Sequence, residues 1–194
     1  MLSSITLRNF KRFTDARIAL DQPVVLIGPN NSGKTTALQA LALWEIGLRS
    51  WLAKHGDKDA TDEIPKKRPG VTINRRDLVA LPVPAANLLW HGLHVRNVER
   101  VAGKPQTQNI RIDLIVEGVT EGRTWSCGLE FDYANQESFY CRPLLAAHGS
   151  RMPIPPAAER VRVAFLPPMS GLADREFIKQ PGEVGFLIGQ GQTA

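Results

Sequence analysis

Polar and apolar residues alternate from the start of the chain. In "SITLRNF" Ile5, Leu7 and Phe10 stand among Thr6, Arg8 and Asn9, the period of a half-buried strand, and "ARIAL", residues 16–20, reads as a second. "VVLI", Val24–Ile27, is apolar throughout, as a strand covered on both faces would be. The period changes at Lys34. Ala37, Ala40, Leu41, Trp44, Leu48, Trp51 and Leu52 recur at steps of three and four, predicting one stripe of a long helix that ends near His55-Gly56.

The next stretch, Gly56 to Gly70, is charged, holds two prolines and has no period, so an exposed insertion is expected. "NRRDLVALPVPAANLLWHGLHVR" suggests short helical turns broken by Pro82 and Pro84. Then the pattern becomes β. Ile110, Ile112, Leu114 and Val116 alternate with polar neighbours. After a turn at Glu121-Gly122, Trp125, Cys127, Leu129, Phe131 and Tyr133 alternate again, predicting a hairpin to which "SFYCR" adds a strand. "MPIPPAAER" is a Pro-rich connection, "VRVAFL" a further strand, and "EVGFLIGQGQTA" the start of a helix.

Between the apolar run and the helix lies "GPNNSGKT", residues 28–35, which fits G-x-x-x-x-G-K-[ST] at every position. Gly28 and Gly33 allow backbone N–H groups to turn inward on an anion, with Asn30, Asn31 and Ser32 filling the turn between them. The helix beginning near Lys34 adds its N-terminal dipole. Lys34 would reach the β- and γ-phosphates, the Thr35 hydroxyl would ligate Mg²⁺, and Thr36 would touch the α-phosphate. No N-K-x-D-type guanine-reading motif occurs, so ATP is the expected nucleotide.

In this context Ile5 to Leu43, with "NFKR" at Asn9 to Arg12 ahead of the loop, resembles the start of SMC/RecF-like ABC-type ATPases. That AAA group includes overcoming-lysogenisation-defect nucleases and other antiphage-defence ATPases. The resemblance implies an α/β P-loop NTPase fold, specifically an ABC-ATPase-head N-terminal lobe with an antiparallel β-meander beside the P-loop strand and helix. It implies that Lys11 or Arg12 approaches the phosphates, the alternative being a solvated pair at a strand end. It also likens "FLPPMSGL", Phe165 to Leu172, to a loop that contacts Mg²⁺, although the usual glutamine is absent there.

Such a head cleaves ATP with a Walker B strand ending in Asp-Glu, an S-G-G signature loop and a switch histidine. "DLIVEG" has too few apolar residues for the first and "SGL" is too short for the second. None of His55, His91, His94 or His148 follows a Walker B strand. The expectation is one incomplete ATPase domain over 1–194: strands, loop and helix to 55, an exposed insertion at 56–76, a β-rich lobe at 77–145, and a connection, strand and helix start at 146–194. Its partners would be a missing C-terminal lobe or a second copy, with DNA possible. By this reading the chain alone is not hydrolytic and no residue in it is catalytic. The rival reading is a non-catalytic nucleotide-sensing or interaction module. A small P-loop kinase fits poorly with so much β-structure.

Composition adds less. The chain has 194 residues, 43% hydrophobic and 22% charged, as in ordinary globular proteins, with a net charge of +5 compatible with nucleic acid. "PKKRP", residues 65–69, is either a solvated loop or a phosphate-contacting patch. Cys127 and Cys141 fit no metal spacing and read as buried thiols. His91 and His94 could be paired metal ligands on a helix, but no acid or cysteine completes a set. Trp90, Trp125 and Tyr133 can stack on bases, or simply fill a core. No apolar run spans a membrane and no secretory signal is present, so a cytoplasmic location is expected.

Overall fold

The alternating residues become strands of one antiparallel sheet. The computed structural model describes residues 1–20, 23–55, 70–78, 81–101, 104–147 and 149–164, with side chains undescribed at 99–106. Strand β1, Leu2–Phe10, turns back through Lys11 and Arg12 into β2, Phe13–Ala19. The opposite edge of β1 pairs with β6, Arg111–Thr120, setting Ile5 against Val116 and Leu7 against Leu114. Glu121 and Gly122 both take left-handed angles, the turn that matches strand twist, and lead into β7, Arg123–Tyr133. Strand β8, Ser138–Pro143, follows, and β3, Val71–Asn74, closes the edge in the order β2-β1-β6-β7-β8-β3. A separate two-stranded ribbon pairs β4, Arg96–Val101, with β5, Lys104–Asn109.

Helix α1, Lys34–His55, lies on one face of the sheet. The predicted stripe is the buried one: Ala37, Ala40, Trp44, Leu48 and Trp51 are buried, and Leu41 and Leu52 pack partly against the same core. Each large side chain so removed from water contributes roughly 1.5–3 kcal/mol. Trp44 also donates its indole N–H to Cys127 O at 3.0 Å, so its one polar atom is satisfied. Helix and sheet approach closely at Gly47, where a Cβ would lie 2.8 Å from Cys141 Sγ and 2.9 Å from the Phe131 ring. Both cysteines are free and buried, and burial pushes the Cys127 thiol up to about 12. They are inert core residues. Trp90 is buried too, with edge-on ring contacts to Tyr133 and Phe139, and Trp125 packs partly against the core.

Three expectations are corrected. Val24–Ile27 is not a strand: Val25 and Ile27 are 79% and 90% exposed, and no described strand pairs with this run. An apolar run becomes a buried strand only if neighbours cover both its edges and faces, and here Leu26 alone of the run is half-buried, while Val24 and Leu26 line a small apolar groove with Ala37 and Leu41. The antiparallel meander is therefore present, but not the strand expected beside it. Residues 161–164 of "VRVAFL" have no strand structure either; they pass along α1, where Arg49 donates to the carbonyls of Glu159 and Val161. Finally, the end of the stretch expected to be insertion carries β3, with Val71 and Ile73 buried. The rest of that insertion with "PKKRP", the Phe165 to Leu172 loop and the helix start after residue 182 lie outside the described residues. The Pro82–Pro84 region forms short 3-10 turns, Ala86–Leu89 and His91–Leu93, as expected.

The sheet face away from α1 carries charge. Asp113 sits on β6, directly across from Arg8 on β1 and Glu130 on β7. Burial, then the Glu130 charge, raise its carboxyl from 3.8 to about 6, against the pull of Arg8 and Arg111. The folded state therefore holds this proton more tightly than the unfolded chain. That preference favours folding below about pH 4 and turns into a penalty as pH rises through 6. The rise corresponds to at most about 3 kcal/mol, and partial exposure reduces this. Asp113→Asn is expected to stabilise the chain by about 1–2 kcal/mol at pH 8, by about half as much at pH 5, and by little below about pH 4 in urea unfolding. Equal destabilisation at all of these pH values would instead make Asp113 a required partner of Arg8 or Arg111.

Candidate nucleotide-binding site

Residues 28–33 wrap around the start of α1. The first helical bond runs from Ala37 N to Gly33 O at 2.9 Å, and Ser32 N returns to Pro29 O at 3.2 Å. Asn31 takes a left-handed φ of 64°, which asparagine tolerates better than most residues. Gly33 has φ 100°, and a Cβ there would lie 2.8 Å from both Arg12 Cδ and Phe13 Cζ. A Cβ at Gly28 would lie 2.8 Å from Ser32 Oγ. At Gly33 backbone angle and space together disfavour a side chain, whereas at Gly28 the Ser32 side chain would have to turn aside. Gly33→Ala is expected to cost about 1–2 kcal/mol in thermal unfolding, because the left-handed strain remains even if Arg12 moves aside.

Lys34 folds back into the turn. Its ammonium donates to Gly28 O at 2.7 Å and Pro29 O at 2.8 Å, with Ser32 Oγ at 3.5 Å. A cation held by two solvent-exposed carbonyls can be drawn to a stronger, anionic acceptor at low cost. Thr35 is exposed and Thr36 half-buried, and the first turn of α1 carries no acidic side chain to compete for an anion. This donor set fits a phosphate group: one cation, hydroxyls, and a helix N-terminus beside a glycine cradle. Asn30 is likewise exposed on the loop.

The "NFKR" segment is brought to the loop, each residue differently. Asn9, next to last in β1, takes φ 54° and donates its amide to Arg111 O at 2.9 Å, tying that strand to β6. Phe10 is fully buried and bridges to Trp90. Lys11 does not reach the turn: its ammonium donates to Gln39 Oε1 on α1 at 2.6 Å, and burial holds its pKa below the usual lysine range. Arg12 is exposed, with its stem beside Gly33, so of the two basic residues it is the one placed at the loop.

The paired-histidine reading finds no support. His91 bonds to Lys11 O and Thr14 Oγ1, and among the described residues no group of three His, Cys, Asp or Glu side chains could hold a metal. The role of Leu89–His91 in bracing this turn was not legible in the sequence, because it depends on residues some 80 positions apart meeting in space. Among the described residues no helix is long and apolar enough to cross a membrane.

Comparison with known proteins bears on the same segment. The family model described as "AAA ATPase domain" matches residues 1–45, that is β1, β2, the loop and the first half of α1. The chain is also 38% identical over 63 residues to the DNA replication and repair protein RecF of Rickettsia canadensis, covering 32% of this chain and 18% of that one. It is 40% identical over 57 residues to RecF of Rickettsia felis, covering 29% and 16%. These matches make the loop-bearing N-terminal segment similar to an AAA ATPase domain and to RecF. The chain spans less than a fifth of the length of these curated relatives. Its mixed α/β structure with an antiparallel sheet fits such a domain.

Proposed function

We propose that this chain binds Mg·ATP through Gly28–Thr35 as the N-terminal lobe of a RecF-like P-loop ATPase. The observation that supports it most directly is the seating of Lys34 at the N-terminus of α1, held among the described residues by loop carbonyls and a serine hydroxyl, with Arg12 alongside. In this reading Lys34 takes the β- and γ-phosphates, Thr36 the α-phosphate, and Thr35 one ligand position on Mg²⁺. The amides of Asn30, Asn31, Ser32 and Gly33 line the cradle. Arg12 supplies a second positive charge at its rim, while Lys11 positions the turn through Gln39. Mg²⁺ would neutralise phosphate charge; this chain's own residues bind and orient.

Turnover needs an acid to orient the attacking water, and the sequence holds no apolar run ending in Asp-Glu. A C-terminal half or a second head would then supply the Walker B and signature residues, and a cytoplasmic DNA-associated complex would read out the ATP state directly or through a linked effector such as a nuclease. The DNA part rests on the RecF relatives' names and the net charge of +5. The absence of the Asp-Glu strand equally favours a second reading, a sensing module that binds ATP without cleaving it. Calorimetric titration of Mg·ATP into the full chain, with phosphate release followed in parallel, separates them. Saturable binding without release supports a lobe or sensor; sustained release by the chain alone would overturn both. No binding by the folded chain would overturn the assignment of the loop.

A further inference from the structure

We infer that His91 is a positioning residue for this nucleotide site: it holds the Lys11–Arg12 turn against Gly33, and so sets where Arg12 stands relative to the phosphates. The inference rests on the nucleotide reading above.

The turn is two residues long, and Lys11 sits in a left-handed conformation at φ 49°. Such a turn has little to fix it beyond its own strands. Here both peptide groups of Lys11 are taken by one neighbouring segment. Its N–H donates to Leu89 O at 2.8 Å, and its carbonyl accepts from His91 Nδ1 at 2.9 Å. The other ring nitrogen of His91, Nε2, lies 3.2 Å from Thr14 Oγ1, on the far side of the turn. Because a carbonyl can only accept, Nδ1 carries the hydrogen, and in the neutral ring Nε2 accepts from the Thr14 hydroxyl. One imidazole thus clasps both sides of the turn.

The clasp is anchored from behind. Trp90 is buried, donates its indole N–H to Ile110 O at 2.7 Å, and meets Tyr133 edge-on at 5.6 Å. Directly after His91 the backbone makes two consecutive left-handed residues, Gly92 at φ 58° and Leu93 at φ 64°. Leu93 is 54% exposed, so burial does not repay its strain. The chain is bent sharply at the point that presents the imidazole to the turn.

A purely structural role predicts something different. The groups that His91 holds are the exposed Thr14 hydroxyl and the half-buried Lys11 O, at the end of the sheet rather than in its core, so its loss should move the melting temperature less than it moves binding. What changes is the freedom of the turn, and with it the placing of Arg12 and Phe13 over Gly33.

The test titrates Mg·ATP into the full chain and into His91→Ala, His91→Asn, Arg12→Ala, the His91→Ala/Arg12→Ala double variant and Lys34→Ala. His91→Ala is expected to weaken binding about five- to tenfold, the equivalent of one or two net hydrogen bonds. His91→Asn, whose amide can still donate to Lys11 O, should recover most of that loss. In the Arg12→Ala background, removing His91 should add less than about twofold, since its effect passes through the turn. Unchanged binding by His91→Ala, or losses that simply multiply in the double variant, overturns the inference. If the wild type binds in a Lys34-dependent way but ignores His91, only this inference fails. If the wild type shows no Lys34-dependent binding, the nucleotide reading fails and takes this one with it. Should His91→Ala not fold, Thr14→Val decides: weaker binding supports the clasp, and unchanged binding overturns it.

Discussion

Lys34→Ala is expected to reduce Mg·ATP affinity by a factor of about ten to a hundred while leaving the melting temperature almost unchanged. The two effects separate because the ammonium does different work in the two states. Without nucleotide it satisfies the carbonyls of Gly28 and Pro29, which stand on an exposed loop. Water can take over both, so the net loss on folding is a few tenths of a kcal/mol, as for an ordinary surface position. With nucleotide bound, the same ammonium would face a triphosphate, and a charge-assisted hydrogen bond to an anion contributes about 1.5–3 kcal/mol. At 1.4 kcal/mol per tenfold that difference dominates. Calorimetry on wild type and variant, beside thermal unfolding of each without ligand, checks both halves. Equal affinities would mean that the loop's backbone and Arg12 alone hold the phosphates, or that Lys34 never leaves its carbonyls.

The elements that the sequence foretold share one feature: their pattern is set by a single buried face. Ile112, Leu114 and Val116 alternate because one side of β6 faces α1, and the stripe from Ala37 to Trp51 repeats because one side of that helix faces the sheet. Val24–Ile27 failed for the converse reason. Its apolar composition reports what the run would bury, whereas burial depends on neighbours that the described residues do not supply. The ribbon of β4 and β5 left no signal, since Arg96, Asn97 and Val98 on one strand and Thr107 to Asn109 on the other are all exposed. Strand β3 is four residues long and follows a charged stretch, too short for its two apolar residues to declare a period. Within the candidate site the spacing of Gly28, Gly33 and Lys34 was legible. Which basic residue stands at the loop was not. Lys11 and Arg12 are adjacent in sequence, and only the reach of Gln39 from α1 decides that Lys11 turns to the helix and leaves the rim to Arg12.

Glu130→Ala is expected to be the most damaging change to the fold, at about 3–5 kcal/mol, without altering nucleotide affinity of the folded fraction. Glu130 is 1% exposed, on the sheet face away from α1. One carboxylate oxygen accepts from Arg142 Nε at 2.5 Å and Arg151 Nη1 at 2.9 Å, and the other lies 3.4 Å from Arg111 Nη1 and Leu145 N. Burial alone would raise its pKa. The Arg142 hydrogen bond and the charges of Arg151 and Arg111 outweigh that and hold it below the usual glutamate range. Removing the carboxylate takes from Arg151, itself 4% exposed, a buried anion at 2.9 Å that helps offset its desolvation, and takes from Arg142 its shortest partner, which costs more than the pair was worth. The pH dependence runs opposite to that of Asp113. Stability from Glu130 is present above the unfolded value near 4.5 and is lost as pH falls through the lower folded value, so the variant should lose that acid-side decline. It should also relieve Asp113, whose carboxyl is raised partly by the Glu130 charge, so Asp113→Asn should stabilise the Glu130→Ala background less than the wild type. Urea unfolding of the two single variants and the double variant between about pH 2 and 8 measures all three effects. A loss below about 1 kcal/mol for Glu130→Ala would mean that Arg142 and Arg151 reach water once released, and that this cluster is a surface network rather than a buried one.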